Sequence, residues 1–197
     1  MAHIVLASGS PRRQELLRNI GVTDFDIRVP RTEENFPAGL TPQQVVAYIS
    51  REKADAASKL CTPEEIVITA DTMVFLDEAR LGKPADEADA LRMLTALQGR
   101  HHTVCTGVTV RQGDRSLTET ETTEVYFRPA TREELLGYIA TGEPMDKAGA
   151  YGIQGYGALL IQGISGDYYN VMGLPVCRLS GMLARFGVDC LKLAAQG

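Results

Sequence analysis

At 197 residues, with 44% hydrophobic content and a net charge of -5, the chain is long enough for one compact domain with a real core, or two small lobes sharing a cleft. The modestly acidic balance excludes the global positive field that binding to long nucleic acid requires. The chain holds no run of about eighteen apolar residues, and its N-terminus lacks a signal peptide's apolar stretch and cleavage site, which predicts a cytoplasmic protein with no membrane partner.

His3 to Ala7 reads as a short apolar strand broken by Ser8-Gly9-Ser10. Ser10-Pro11 then places a hydroxyl at N-cap and proline at N1 of a helix that ends at Gly21, with Leu16, Leu17 and Ile20 as its core stripe. Arg12 and Arg13 in the first turn oppose the helix dipole. Strand, serine-glycine loop, helix N-terminus and two guanidinium groups together make an anion cradle, although an arginine pair on a solvated face gives the same pattern. Phe25 to Val29 is a second strand, and the loop from Pro30 to Leu40 carries Glu33-Glu34. Thr41-Pro42-Gln43-Gln44 is a capping box opening a long helix to about Leu60, with Val45, Val46 and Ile49 on its apolar face and Lys53 further along.

Ile66 to Ala70 is β-branched and apolar, and it delivers Asp71 and Thr72 at a strand end. A second apolar run, Met73 to Leu76, is followed by a polar turn over Asp77 to Arg80 and by Leu81-Gly82-Lys83-Pro84. An ionised Asp beside buried strands needs a partner, a hydrogen bond or a metal; a turn-capping Asp would satisfy the same requirement. Asp86 to Leu97 is an amphipathic helix stopped by Gly99. His101 and His102 have no ligand partner at useful spacing and read as structural or surface residues. Thr103 to Arg111 and Leu117 to Phe127 alternate polar and apolar residues around Gly113-Asp114, predicting a hairpin with one wet face.

Thr131-x-x-Glu134 is another capping box, for a helix ending near Thr141-Gly142. The glycine-dense stretch 142–157 matches neither nucleotide-binding glycine fingerprint. Its interleaved Tyr151, Ile153 and Tyr156 predict a packed segment, in which glycine permits positive φ and close approach of backbone to ligand. Ala158 to Ile164 reads as a strand, Gly166 to Asn170 as a turn and Leu174 to Phe186 as a closing helix. The four cysteines, Cys61, Cys105, Cys177 and Cys190, lack C-x-x-C spacing and read as reduced thiols.

Four segments in this order, Leu6 to Arg13, Ala70-Asp71-Thr72 with Leu81 to Pro84, Gly142 to Gly155, and Gly166 to Pro175, make the chain similar, nearly end to end, to the Maf (septum-formation-inhibitor-like) nucleoside triphosphate pyrophosphatases. The resemblance implies a single α/β domain over residues 1–197: a long, curved mixed sheet flanked by helices, related to the inosine-triphosphate pyrophosphatases, with two lobes around a cleft. It implies cleavage between the α- and β-phosphates, with Asp71 as general base. Phosphate handling falls on Ser8, Arg12, Arg13, Lys53 and Lys83, and a divalent cation (Mg²⁺ or Mn²⁺) on Glu34 and Asp71. Arg12, Thr72 and Gln154 form the specificity set of the branch acting on dTTP and UTP, whereas the 7-methyl-GTP branch shows Trp, Gln and Glu. The older family name keeps a non-catalytic, nucleotide-binding regulator of cell division as the rival, beside a same-fold enzyme for purine or modified nucleotides, and a homodimer stays open. The turn Asp77-Glu78-Ala79-Arg80 lacks the glycine common in the family, a departure for the hairpin more than for the chemistry.

The chemistry agrees with these assignments. Two arginines and two lysines complement a triphosphate, and a carboxylate such as Asp71 can take the proton of an attacking water.

Overall fold

A computed structural model describes residues 2–33 and 35–196 of the chain. Among these, seven strands form one mixed sheet flanked by helices: β1 (Ile4–Leu6), β2 (Phe25–Ile27), β3 (Ile66–Leu76), β4 (Ala79–Leu81), β5 (His101–Gln112), β6 (Arg115–Phe127) and β7 (Ile161–Ser165). Their order is β2-β1-β3-β5-β6-β7, with β4 beside β3. The β1 strand runs parallel to both β2 and β3, while β4 and β7 pair antiparallel with β3 and β6. The helices are α1 (Pro11–Asn19), α2 (Pro42–Ser58), α3 (Glu87–Leu97), α4 (Arg132–Ile139), α5 (Tyr168–Met172), α6 (Val176–Arg185) and α7 (Cys190–Ala194).

The chain forms two compact units. The first comprises Met1–Asp71, Thr106–Glu121 and Gly173–Gly197; the second comprises Thr72–Cys105 and Thr122–Met172. In the first, α2 begins at the full capping box of Thr41 and Gln44 and buries Val45, Val46, Ile49, Ala54 and Ala57. It presses directly onto β5, where a Cβ on Gly107 would lie 2.2 Å from the Val46 carbonyl oxygen. In the second, α3 and α4 bury Leu94, Leu97, Leu135 and Ile139 with Leu76, Val104, Val125 and Phe127 in one apolar core. Thr131 and Glu134 form the capping box of α4.

Several local expectations are corrected. Asp71 does not end a strand: β3 runs unbroken through Asp71-Thr72 for 11 residues. Lys53 meets the Asp71 carboxylate, so the strand has no need to break at a polar residue. The strand turns back after Leu76 through Asp77, at φ 53, so this aspartate adopts the left-handed conformation that usually favours glycine, and Arg100 holds its carboxylate. Ala79 and Arg80 belong to β4 rather than to the turn. Ser10 makes no capping bond; Ser8 Oγ accepts from the Ser10 N–H instead, at 3.3 Å.

The hairpin of β5 and β6 forms around Gly113-Asp114, but its two strands differ: Val104 to Val110 on β5 are all buried, whereas β6 stays half-exposed over most of its length. The β5 strand lies inside the sheet, and its threonines are satisfied there by hydroxyl bonds, such as Thr109 to Thr118 at 2.9 Å. Residues 158–160 belong to a 3₁₀ turn (Tyr156–Leu160) that precedes β7, and α5 replaces the expected turn over Gly166 to Asn170. A final short helix, α7, capped by Asp189, adds an element with no sequence expectation behind it.

Candidate active site

In the first unit, β1 ends beside the part of β3 that leads to Asp71: Leu6 pairs with Ile68, and the Ala7 N–H donates to the Ile68 carbonyl at 2.8 Å. The carboxyl end of parallel strands, followed by a helix N-terminus, is where α/β sheets place anionic ligands. Ser8 is buried at that position, and Arg13 on α1 donates to its Oγ at 3.2 Å. The same guanidinium donates through Nε to the Gly173 carbonyl at 2.8 Å, so Arg13 braces the loop as well as charging it. Arg12 is half-exposed and has no partner among the described residues.

Asp71 is 5% exposed. Lys53 Nζ donates to its Oδ1 at 2.6 Å, and its Oδ2 is buried with no partner among the described residues. Lys53, expected on the phosphates, thus contacts the carboxylate directly. Spacing explains the pairing. Ser50 and Lys53 share one face of α2 at i, i+3, while Thr69 and Asp71 share one face of β3 at i, i+2. Helix and strand are therefore joined by two rungs. The outer rung is the ion pair, and the inner is Thr69 Oγ1 donating to the Ser50 carbonyl at 2.7 Å. Ser50 Oγ also donates to Thr109 Oγ1 at 2.9 Å, tying β5 to the same ladder. Sequence reasoning missed Ser50, Thr69 and Thr109. The available signal was a serine and a threonine inside apolar elements, three residues before Lys53 and two before Asp71.

The second unit carries Thr72, Lys83 and Gln154. Thr72 is half-buried, next to Asp71 on the opposite face of β3; Lys83 and Gln154 are exposed. The Lys83 loop is tied to the glycine-dense segment, because the Gly149 N–H donates to the Gly82 carbonyl at 3.0 Å. Gly149 has φ +72, and a Cβ there would approach Val74 to 3.1 Å. The segment is ordered as 3₁₀ turns at Glu143–Asp146, Ala148–Ala150 and Tyr156–Leu160, with Ala150, Tyr151 and Ile153 buried. Glu143, inside the segment Gly142 to Gly155, accepts hydrogen bonds from Tyr138, Tyr156 and Gly157. Burial pushes its carboxyl up, but these donors outweigh burial and hold it below the usual carboxylate range. His102 proves to be a core residue: it bonds Tyr151 at 2.7 Å, and burial pushes its imidazole down to about 4.

An unpartnered, buried carboxylate oxygen fits a hard cation or a water, so Asp71 Oδ2 suits the expected metal chemistry. Glu34, the second expected ligand, lies outside the described residues. A different grouping of potential ligand atoms, His3, Asp26 and Glu65, exists among the described residues, but Arg28 already bonds both of its carboxylates.

The family model described as "Maf-like protein" matches residues 3–186. A dTTP/UTP pyrophosphatase of Symbiobacterium thermophilum is 51% identical over 187 residues, covering 95% of each chain. Similar proteins of the same name occur in Exiguobacterium sibiricum, at 50% identity over 94% of this chain and 93% of that one, and in Bacillus cereus, at 47% over 96% and 98%. Among solved structures, a HAM1 protein from Coxiella burnetii covers 64% of this chain and 73% of its own, at 17% identity and a TM-score of 0.42, a likeness too loose to bear on the site. With its signature residues in place and the family model spanning residues 3–186, the chain belongs to the Maf-like protein family.

Proposed function

We propose that the protein hydrolyses dTTP and UTP to the nucleoside monophosphate and pyrophosphate, acting over residues 1–197 as one catalytic domain. The observation that carries this reading is Asp71: a buried carboxylate with one oxygen held by Lys53 and the other without a partner among the described residues. Relatives at about half identity bear the corresponding name. In this reading a water oxygen attacks the α-phosphorus, its proton passes to the Asp71 carboxylate, and the bond to the bridging oxygen breaks, the electron pair leaving with pyrophosphate. Lys53 keeps the carboxylate in place and its charge compensated. Ser8, Arg12, Arg13 and Lys83 bind and orient the phosphates through hydroxyl, guanidinium and ammonium donors. Asp71 and Glu34 would hold a divalent cation (Mg²⁺ or Mn²⁺), which when bound neutralises charge on the phosphate oxygens.

Arg12, Thr72 and Gln154 form the specificity set. A glutamine amide can accept from the pyrimidine N3–H while donating to O4, whereas cytosine presents the opposite pattern. The physiological setting we assign is cytoplasmic, which agrees with four free thiols and with the absence of any helix, among the described residues, long and apolar enough to cross a membrane. The partner is a nucleoside triphosphate rather than a polymer; a homodimer is compatible with this reading.

The test is kcat/KM for dTTP, UTP, CTP and GTP with added Mg²⁺ or Mn²⁺, in wild type and in Gln154→Glu. The pyrimidine substrates with N3–H should lead, and the variant should lose roughly tenfold or more on them. Equal rates for CTP and UTP in the wild type would mean that the ring edge is not read. Tight dTTP binding without pyrophosphate release would instead favour the nucleotide-binding regulator.

A further inference from the structure

Residues 152–157 form a loop drawn together at its neck, with Gln154 near its tip. Gly157 meets Gly152 so closely that a Cβ on Gly157 would lie 2.1 Å from the Gly152 carbonyl oxygen and 2.8 Å from the Tyr138 hydroxyl. Two side chains from outside the loop pin both legs. Tyr138 Oη accepts from the Gly152 N–H at 3.1 Å on the entering leg and donates to Glu143 Oε1 at 2.9 Å. Glu143 accepts from the exiting leg, with the Gly157 N–H on Oε1 and the Tyr156 N–H on Oε2, both at 2.9 Å. Gly155 has φ +100, which favours glycine, and a Cβ there would stand 2.6 Å from Glu143 Oε2 and displace the carboxylate.

The clamp is mounted on firm structure. Tyr138 belongs to α4, and its ring lies in the apolar core of the second unit. Glu143 opens the 3₁₀ turn that follows, and its backbone N–H is bonded to Thr141 Oγ1 at 3.2 Å. By contrast, the Gln154 side chain is exposed and has no partner among the described residues. Among the described residues, only the backbone that carries it orients it. A recognition amide must be aimed to within a fraction of an ångström to discriminate between donor and acceptor patterns.

We propose that Tyr138 and Glu143 are positioning residues for base selection: acting through the backbone of residues 152–157, they set the aim of Gln154 toward the pyrimidine ring edge. This inference rests on the reading of Gln154 as the group that recognises the base, and the experiment separates the two.

Glu143→Gln replaces a carboxylate oxygen by an amide nitrogen that cannot accept from a backbone N–H. Tyr138→Phe keeps the ring in the core and removes the bond to Gly152. In both, the kcat/KM ratio of UTP to CTP should fall by about tenfold, while inhibition by tripolyphosphate stays within about twofold. Deuterium exchange at the Tyr156 and Gly157 amides should quicken by about tenfold or more, because the bonds that protect them are lost or loosened. Gln154→Ala is the reference: it should abolish the UTP preference with both amides still protected. If Gln154→Ala keeps the wild-type ratio, the reading of Gln154 fails and base selection by the clamp fails with it. If that variant loses the ratio while both clamp variants keep it, the positioning role alone is overturned. Unchanged amide protection in both clamp variants would also overturn it.

Discussion

In the first unit the Asp71 carboxylate is held by side chains mounted on regular elements; in the second Gln154 is carried by the backbone of an irregular loop. Asp71 sits in the middle of a strand, opposite a helix to which it is joined by the Lys53 rung and, one step inward, by Ser50 and Thr69. Gln154 belongs to neither helix nor strand, and its segment keeps its shape through glycines at short approach and a shared carboxylate. The difference matches what the proposed function asks of each group. A base must stand at fixed distance from one atom, which rigid elements provide. A residue that reads a base can stand on a loop, where exchange of side chains is tolerated, provided that the loop is pinned.

The largest effect expected is on the carboxylate itself. Asp71→Asn keeps the size and one acceptor but loses the basicity, so turnover should fall by roughly two to four orders of magnitude with nucleotide still bound. Single-turnover pyrophosphate release measures it, and near-normal turnover would move the base elsewhere. Next comes the contrast between the two lysines. Lys53→Met strands a buried carboxylate and should cost about 3 kcal/mol in urea unfolding, with most of that loss recovered by adding Asp71→Asn. Lys83→Met, at an exposed position, should change stability by no more than about half a kcal/mol while weakening triphosphate handling. Equal stability losses would erase the distinction between a paired lysine and a ligand-facing one.

A pH series tests the second unit. His102 is buried beside Phe127 and Tyr151, and its folded value near 4 lies below the ordinary 6.5. The unfolded chain therefore binds the extra proton first as pH falls. Stability is complete above about 6.5 and declines toward pH 4, by up to about 3 kcal/mol. His102→Gln should flatten that part of the wild-type profile; a profile of the same slope would assign the pH dependence to other groups.

The smallest effects sharpen the comparison most. Gly107→Ala and Gly157→Ala each drive a Cβ to within about 2 Å of a backbone oxygen, Val46 in one case and Gly152 in the other. The first forces a helix and a strand apart and should cost about 1–3 kcal/mol of stability. The second should act mainly on substrate choice, lowering the UTP to CTP ratio for less loss of stability. Matched losses of stability with unchanged selectivity would show that the loop is core rather than recognition apparatus.

Much of this molecule was legible in its residues, because the signals were local. The capping boxes at Thr41 and Thr131 announced α2 and α4, and each pairs as its spacing requires. Apolar periodicity located β1, α3 and the β5–β6 hairpin, and the family resemblance nominated Asp71, Arg13, Lys53 and Gln154. Local rules misjudged places where a distant partner decides the outcome. A strand was expected to end at Asp71 because the apolar β-branched run stops at Ala70, yet Lys53, eighteen residues away, pairs the carboxylate and the strand runs on. One face of the hairpin was expected to be wet because polar residues alternate with apolar ones, yet β5 is buried on both faces, where Thr109 bonds Thr118 and α2 closes over Gly107.

By itself, then, the order of residues determined which segments become helices and strands and which chemical groups the chain presents, since propensity, capping and periodicity act over a few residues. Tertiary structure alone decided which of those groups are spent on one another. Lys53 is bound to Asp71, Arg13 braces Gly173, and Glu143 is consumed by three donors of its own unit, while Asp71 Oδ2 keeps no partner among the described residues. The physical reason is that hydrogen bonds and ion pairs are short-ranged in space but indifferent to separation along the chain, so no local pattern can say which donor will meet which acceptor.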